Sequence, residues 1–230
     1  MIYTFAILMA PCPKVQPLGL MGQPIQYWQC DRLVAVIQPD VDIEALKSLP
    51  EESLMQAIIQ HDRLVCDLFT EQTLLPLRFG TAFISLDALD MYLRQEGAKL
   101  LGDLERLTGY AEFLIKGVAI APKVEPQTNL KGKDYLLAKR SLYLQQEEWR
   151  SQLQQEISSY LQLIKDNLES GTELHIHSTE PQGSESWRCY LLLPRSQADY
   201  LQNLGKSWLE KHRHWQIEWT EALPPYHFLA

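Results

Sequence analysis

The chain has 230 residues, 46% hydrophobic and 22% charged, enough to build a real core in one large domain or two small ones. A net charge of −8 and a pI near 5.3 argue against duplex nucleic acid as the main partner, because phosphate binding needs a surplus of Lys and Arg. Cys12, Cys30, Cys66 and Cys189 are scattered without a Cys-x-x-Cys pair, which suits small buried hydrophobes in a reduced, cytosolic compartment.

Ile2 to Ala10 is apolar, lacks a preceding basic stretch, and runs straight into Pro11 and Pro13. It is short of the ~20 residues that span a bilayer, so it reads as a strand buried on both faces and not as a leader or membrane anchor. Four prolines and two glycines between Pro11 and Pro24 make a loop. Ile25–Cys30 and Leu33–Gln38 read as short strands joined tightly at Asp31-Arg32. Pro50-Glu51-Glu52-Ser53 opens a helix, with proline near the start and acids where the helix dipole favours them. Its apolar stripe is Leu54, Ile58, Val65 and Leu68. His61 falls inside that stripe, Asp62 at its border and Arg63 on the opposite side. The run Leu74 to Gly80 then carries one guanidinium, Arg78. An unpaired buried charge costs several kcal/mol, so Arg78 is expected to pair with Asp62, with Glu71 as second choice. Ser85 is placed to cap a helix reaching about Leu107. Residues 1–109 thus form an N-terminal mixed α+β domain.

From Tyr110 the pattern changes. Tyr110–Ile120 alternates as a strand, 122–133 is a polar loop, and a helix runs over 134–169 to a stop at Gly171. Strands at 173–179 and 187–193, a helix at 196–211 and a strand at 214–220 complete the order β-α-β-β-α-β. This predicts an α+β, ferredoxin-like second domain over 110–230, with an extended helical region at 134–169. That helix is longer than one sheet needs, so part of it must leave the domain or break.

No catalytic constellation emerges. His61 and Cys66, five positions apart on a helix, diverge by about 140° and cannot form a base–nucleophile pair; His61 reads as a packed histidine bonded to nearby backbone. His175/His177 and His212/His214 fall on the second and fourth strands, at opposite edges of a ferredoxin-like sheet, and alternate with the apolar side chains. They are expected to face solvent and to share no metal. No phosphate-binding glycine motif and no HExxH occurs, so no cofactor and no metal is expected.

The ordered set His61-Asp62-Arg63, Leu75–Phe83 (LPLRFGTAF), Gly109 with Glu112 and Lys116, Tyr135-Leu136 with Lys139, and Glu218-Trp219-Thr220 with Leu223-Pro224-Pro225-Tyr226-His227-Phe228 resembles the GvpF/GvpL family of gas vesicle proteins. The resemblance spans nearly the whole chain; it departs at Cys66, where a plain helix residue or an acid is more usual, and at His227, where a small polar residue is. It implies a non-enzymatic minor vesicle protein, cytoplasmic and on the gas vesicle, with neither nucleic acid nor membrane as partner. Such a protein associates with the small hydrophobic shell protein and with other vesicle accessory proteins, supporting nucleation and assembly by preventing aggregation or by becoming a structural component. The alternative is a small-ligand binder or enzyme on a ferredoxin-like scaffold. For the assembly role, an apolar strip rimmed by charge is expected at Leu223, Tyr226 and Phe228 and around Trp149 and Leu153.

Overall fold

Strand β1 (Ile2–Met9) holds the first half of the chain together: Tyr3 to Leu8 are all buried, so the strand is covered on both faces. The structure, a computed structural model, describes residues 1–120, 132–168, 175–179 and 186–229. β2 (Gln26–Cys30) and β3 (Leu33–Gln38) form a hairpin turning at Asp31-Arg32, where Asp31 takes the left-handed backbone (φ 53°) that aspartate tolerates. β1 pairs antiparallel with β3, with β4 (Leu74–Pro76) and, at its start, with β5 (Ala82–Phe83), giving the order β2-β3-β1-β4.

The helices around this sheet follow local signals. A short α1 (Ile43–Lys47), absent from the sequence expectation, is capped by Asp42, whose carboxylate accepts the Glu44 and Ala45 amides at 3.1 and 3.0 Å. α2 (Glu51–Glu71) starts after Pro50 as expected. The single helix expected from Ser85 is two, α3 (Leu86–Gln95) and α4 (Gly97–Leu107). They part at Glu96, whose backbone (φ −93°, ψ 2°) leaves the helical region just ahead of Gly97. Ser85 does cap α3, accepting the Ala88 amide at 3.1 Å.

The second half contains β6 (Tyr110–Ala119), α5 (Lys133–Asp166), β7 (His175–Thr179), β8 (Ser186–Pro194), α6 (Ala198–Lys211) and β9 (Trp215–Trp219). The sheet order is β7-β8-β6-β9, with β9 antiparallel to β6 and β7 antiparallel to β8. Two glycines permit its tightest packing. A side chain at Gly117 would collide with the Trp187 indole, and one at Gly205 in α6 with the Tyr160 hydroxyl of α5.

α5 is one unbroken helix of 34 residues, about 50 Å long at 1.5 Å per residue. Of the two outcomes expected for so long a helix, it does not break. Residues 133–148 are exposed apart from half-buried Ala138, and packing begins at Trp149 and continues through Leu153, Tyr160 and Ile164. Gly171, the expected stop, lies outside the described residues.

The chain divides into two compact units, Met1–Glu112 with Ala222–Ala230, and Phe113–Glu221. The expected boundary after residue 109 put the closing segment in the second domain. That placement is corrected: Leu223 and Glu112 exchange backbone hydrogen bonds of 3.0 and 2.8 Å, so the segment belongs to unit 1.

Candidate functional site

Three places gather the residues singled out by sequence. The first is the His61 clasp. His61 is 2% exposed, on the buried face of α2 beside Ala57, Leu64, Val65 and Leu68. Its Nε2 lies 3.0 Å from the Leu77 carbonyl, which can only accept, so Nε2 carries the proton. Nδ1 therefore accepts from the Tyr3 hydroxyl at 2.9 Å, and that oxygen in turn accepts the Gly80 amide at 3.1 Å. Gly80 has φ 87°, a backbone that favours glycine, and this aims its N–H back at Tyr3. The ring stacks on Phe5 and meets Phe79 edge-on. Burial pushes His61 down to about 4 against the pull of the Leu77 carbonyl, and pushes Tyr3 up to about 12. The words HDR and LPLRFG thus meet in one hydrogen-bond chain tying α2, β1 and the turn after β4, and His61 is the packed histidine its position implied.

Arg78 is not part of that clasp. It is exposed and, among the described residues, forms no ion pair, so the buried pair expected with Asp62 or Glu71 does not exist. The reason is the turn. The Arg78 carbonyl accepts both the amide and the hydroxyl of Thr81, at 3.0 and 2.7 Å, and the guanidinium reaches water where no desolvation must be offset. Asp62 keeps its carboxyl raised by partial burial, beside the closing segment.

That segment is the second place. Glu112, 2% exposed, accepts the His227 amide at 2.9 Å and pairs with His227 Nδ1 at 2.8 Å. Arg106 donates to the Phe228 carbonyl at 2.9 Å. Tyr226 is half-buried; its hydroxyl has no hydrogen-bond partner among the described residues, and burial first, then the nearby Asp62, Cys66, Tyr3 and Glu112, hold its ionisation far above the ordinary phenol range. Leu223 and Phe228 are half-buried as well. The tail is a staple within unit 1, and His227 is its latch.

The third place is α5. Trp149 packs against His214 with ring centroids 5.1 Å apart, and Leu153 is 4% exposed. One turn on, the Glu156 carboxylate accepts His214 Nε2 at 2.7 Å and Trp215 Nε1 at 2.8 Å. His212 stacks on Trp208 at 3.9 Å and bonds its carbonyl through Nδ1. Trp149 and Leu153 are therefore the root of the helix and not a free strip, and His212 and His214 pack inward instead of facing solvent, because two tryptophans and a carboxylate give them partners there. The side chains of His175 and His177 lie outside the described residues, while their strand, β7, stands at the opposite end of the sheet from β9. Among the described residues no three His, Cys, Asp or Glu side chains converge as metal ligands, and no helix is long and apolar enough to cross a membrane.

The free apolar surface of this helix lies one step earlier, at Tyr135, Leu136, Leu137, Leu142, Tyr143 and Leu144, each between 37% and 64% exposed. The signal for it was present in the sequence as an apolar triplet repeated after seven residues.

The molecule is thus a mixed α+β protein with two sheets, antiparallel pairings in each, and flanking helices. The family model described as "Gas vesicle synthesis protein GvpL/GvpF" matches residues 1–230, and the chain belongs to that family. Its fold is similar to the crystal structure of the gas vesicle protein GvpF from Anabaena sp. PCC7120 (TM-score 0.74, 17% identity, covering 100% of this chain and 95% of that one). It is equally similar to that of GvpF from Microcystis aeruginosa (TM-score 0.73, 15% identity, 100% and 98% covered). No curated protein matches by sequence.

Proposed function

We propose that this chain is a minor, non-enzymatic gas vesicle protein of the cytoplasm that binds the small hydrophobic shell protein and supports nucleation and assembly of the vesicle. A subunit that walls off gas must carry a large apolar face, and such a face aggregates in water unless covered. Family membership supports the vesicle role, and one observation carries the binding role. The free part of α5 presents six large apolar side chains to solvent, flanked by Lys133, Lys139, Arg140, Glu147 and Glu148. The element and sheet order of unit 2 support reading it as a ferredoxin-like split βαβ scaffold that holds this helix by its packed half.

The rival small-ligand reading rests on an open, mainly apolar groove of about 470 Å³ in unit 1, lined by Leu20, Met21, Val41, Leu46 and Leu49. Capture of co-expressed shell protein separates the two. The full chain is expected to retain shell protein in the soluble fraction. Leu136→Ser with Tyr143→Ser should fold normally and capture at least about fivefold less, since exposed apolar contacts of this kind supply interface hot spots. Undiminished capture by that variant would remove α5 from the reading. Normal vesicles in a strain lacking the gene would end the assembly role.

A further inference from the structure

The free part of α5 is apolar in more than one direction. Successive helical residues point about 100° apart, and residues seven apart return to within about 20° of each other. Tyr135 and Leu142 therefore form one ridge, Leu136 and Tyr143 a second, and Leu137 and Leu144 a third, all exposed. Only the first continues the stripe that packs at Trp149, Leu153 and Tyr160. The remaining sector holds only Asp134, Ala138, Ser141 and Gln145. A helix docking on a flat surface needs one apolar stripe, whereas a helix with three apolar ridges must be covered from three directions. Charge narrows the occupant. Residues 133–144 hold three cations (Lys133, Lys139, Arg140) and one acid (Asp134) in a chain whose net charge is −8. Lys139 and Arg140 are exposed and, among the described residues, paired with no acid.

We infer that α5 works as an inserted arm: shell-protein subunits close around residues 135–144 on three sides and set acidic groups against Lys139 and Arg140. This rests on the proposed function and specifies how that partner is held. An anionic lipid surface would also attract the two cations, but an interfacial helix carries its cations on its polar face, whereas Lys139 and Arg140 fall between the apolar ridges.

The test uses the full chain co-expressed with shell protein, with the photocrosslinker p-benzoylphenylalanine replacing Tyr135, Leu136 or Leu137 in turn. Adducts with shell protein are expected from all three positions, with yields within about threefold of one another, as enclosure on three sides requires. Adducts from one position only would overturn the enclosure and leave the assembly role standing. Adducts from none, with capture intact, would place the binding site elsewhere. No capture by the unsubstituted chain would overturn the proposed function itself. In a second arm, Lys139→Glu with Arg140→Glu should weaken capture about tenfold at low salt, and Arg140→Lys should preserve it. Capture unchanged by the double reversal would overturn the acidic complement. Flotation of the purified chain with phosphatidylglycerol vesicles, abolished by the same reversal, would make lipid the occupant.

Discussion

Both ring nitrogens of His61 are committed, Nε2 as donor to the Leu77 carbonyl and Nδ1 as acceptor from the Tyr3 hydroxyl, so a second proton on the ring breaks the Tyr3 bond and adds a charge in the core. The sign of the pH effect follows. Burial lowers the folded-state value to about 4 from the ordinary 6.5, so between those values the unfolded chain binds a proton that the folded chain excludes. Stability is then complete above about pH 6.5 and declines as pH falls towards 4, by about 3 kcal/mol in all. We expect the melting temperature to fall steeply over that window and His61→Gln, which cannot titrate, to lose less. Parallel curves for the two proteins would refute the assignment. Arg78 gives the opposite lesson at this scale. An arginine inside an apolar run looks buried when only spacing is read. The run ends in a turn whose backbone Thr81 secures, however, and the direction of a side chain at a turn is not written in periodicity.

Among the elements, those built from repeated apolar positions were legible before the structure. The both-faces burial of β1 and the β2–β3 hairpin follow from local pattern alone. The stripe of α2 was legible in part: Val65 and Leu68 are buried, but Ile58 is exposed, Leu54 half-buried, and the buried face turns towards Ala57, His61 and Leu64. α1 was missed because a helix of five residues is too short to show a period, although Asp42 marks its start. The α3–α4 break was missed because the leucine spacing continues through Glu96 while the backbone does not. A close helix contact was invisible too: Gly205 lets α6 approach the Tyr160 hydroxyl, which also accepts the Trp219 Nε1 proton at 3.0 Å. Gly205→Ala should therefore cost about 2 kcal/mol through overpacking. Tyr160→Phe should cost about 1 kcal/mol by leaving the indole N–H without its acceptor. With the hydroxyl gone, the added methyl meets far less, so in denaturant titrations the double variant should fall short of the sum by about 1 kcal/mol. Strict additivity would mean that the hydroxyl is not what Gly205 accommodates.

At the scale of the whole chain, unit 1 is discontinuous: it leaves at Glu112 and resumes at Ala222, with unit 2 as the insertion. This was hidden from sequence because the latch joins residues 115 positions apart, and neither Glu112 nor His227 carries a mark of the other. The return is nevertheless well defined. Glu112 and Leu223 face each other in an antiparallel bridge, so their Cα atoms stand roughly 4.5–5.5 Å apart, a gap that a short turn closes. Removing 113–221 and joining Glu112 to Ala222 through a turn such as Asn-Gly should therefore leave a protein that folds. It should unfold cooperatively, and His227→Ala should destabilise it by about 2 kcal/mol, since that substitution leaves the His227 amide on one oxygen of a buried carboxylate but removes the imidazole from the other. The excised form also separates the two halves functionally. It lacks α5, so under the proposed function it should be soluble, well folded and unable to capture shell protein. Retained capture would move the binding surface to unit 1, where the groove at Leu20 and Leu46 would be the first place to mutate. Failure to fold, with His227→Ala harmless in the full chain, would mean that the closing segment does not complete unit 1.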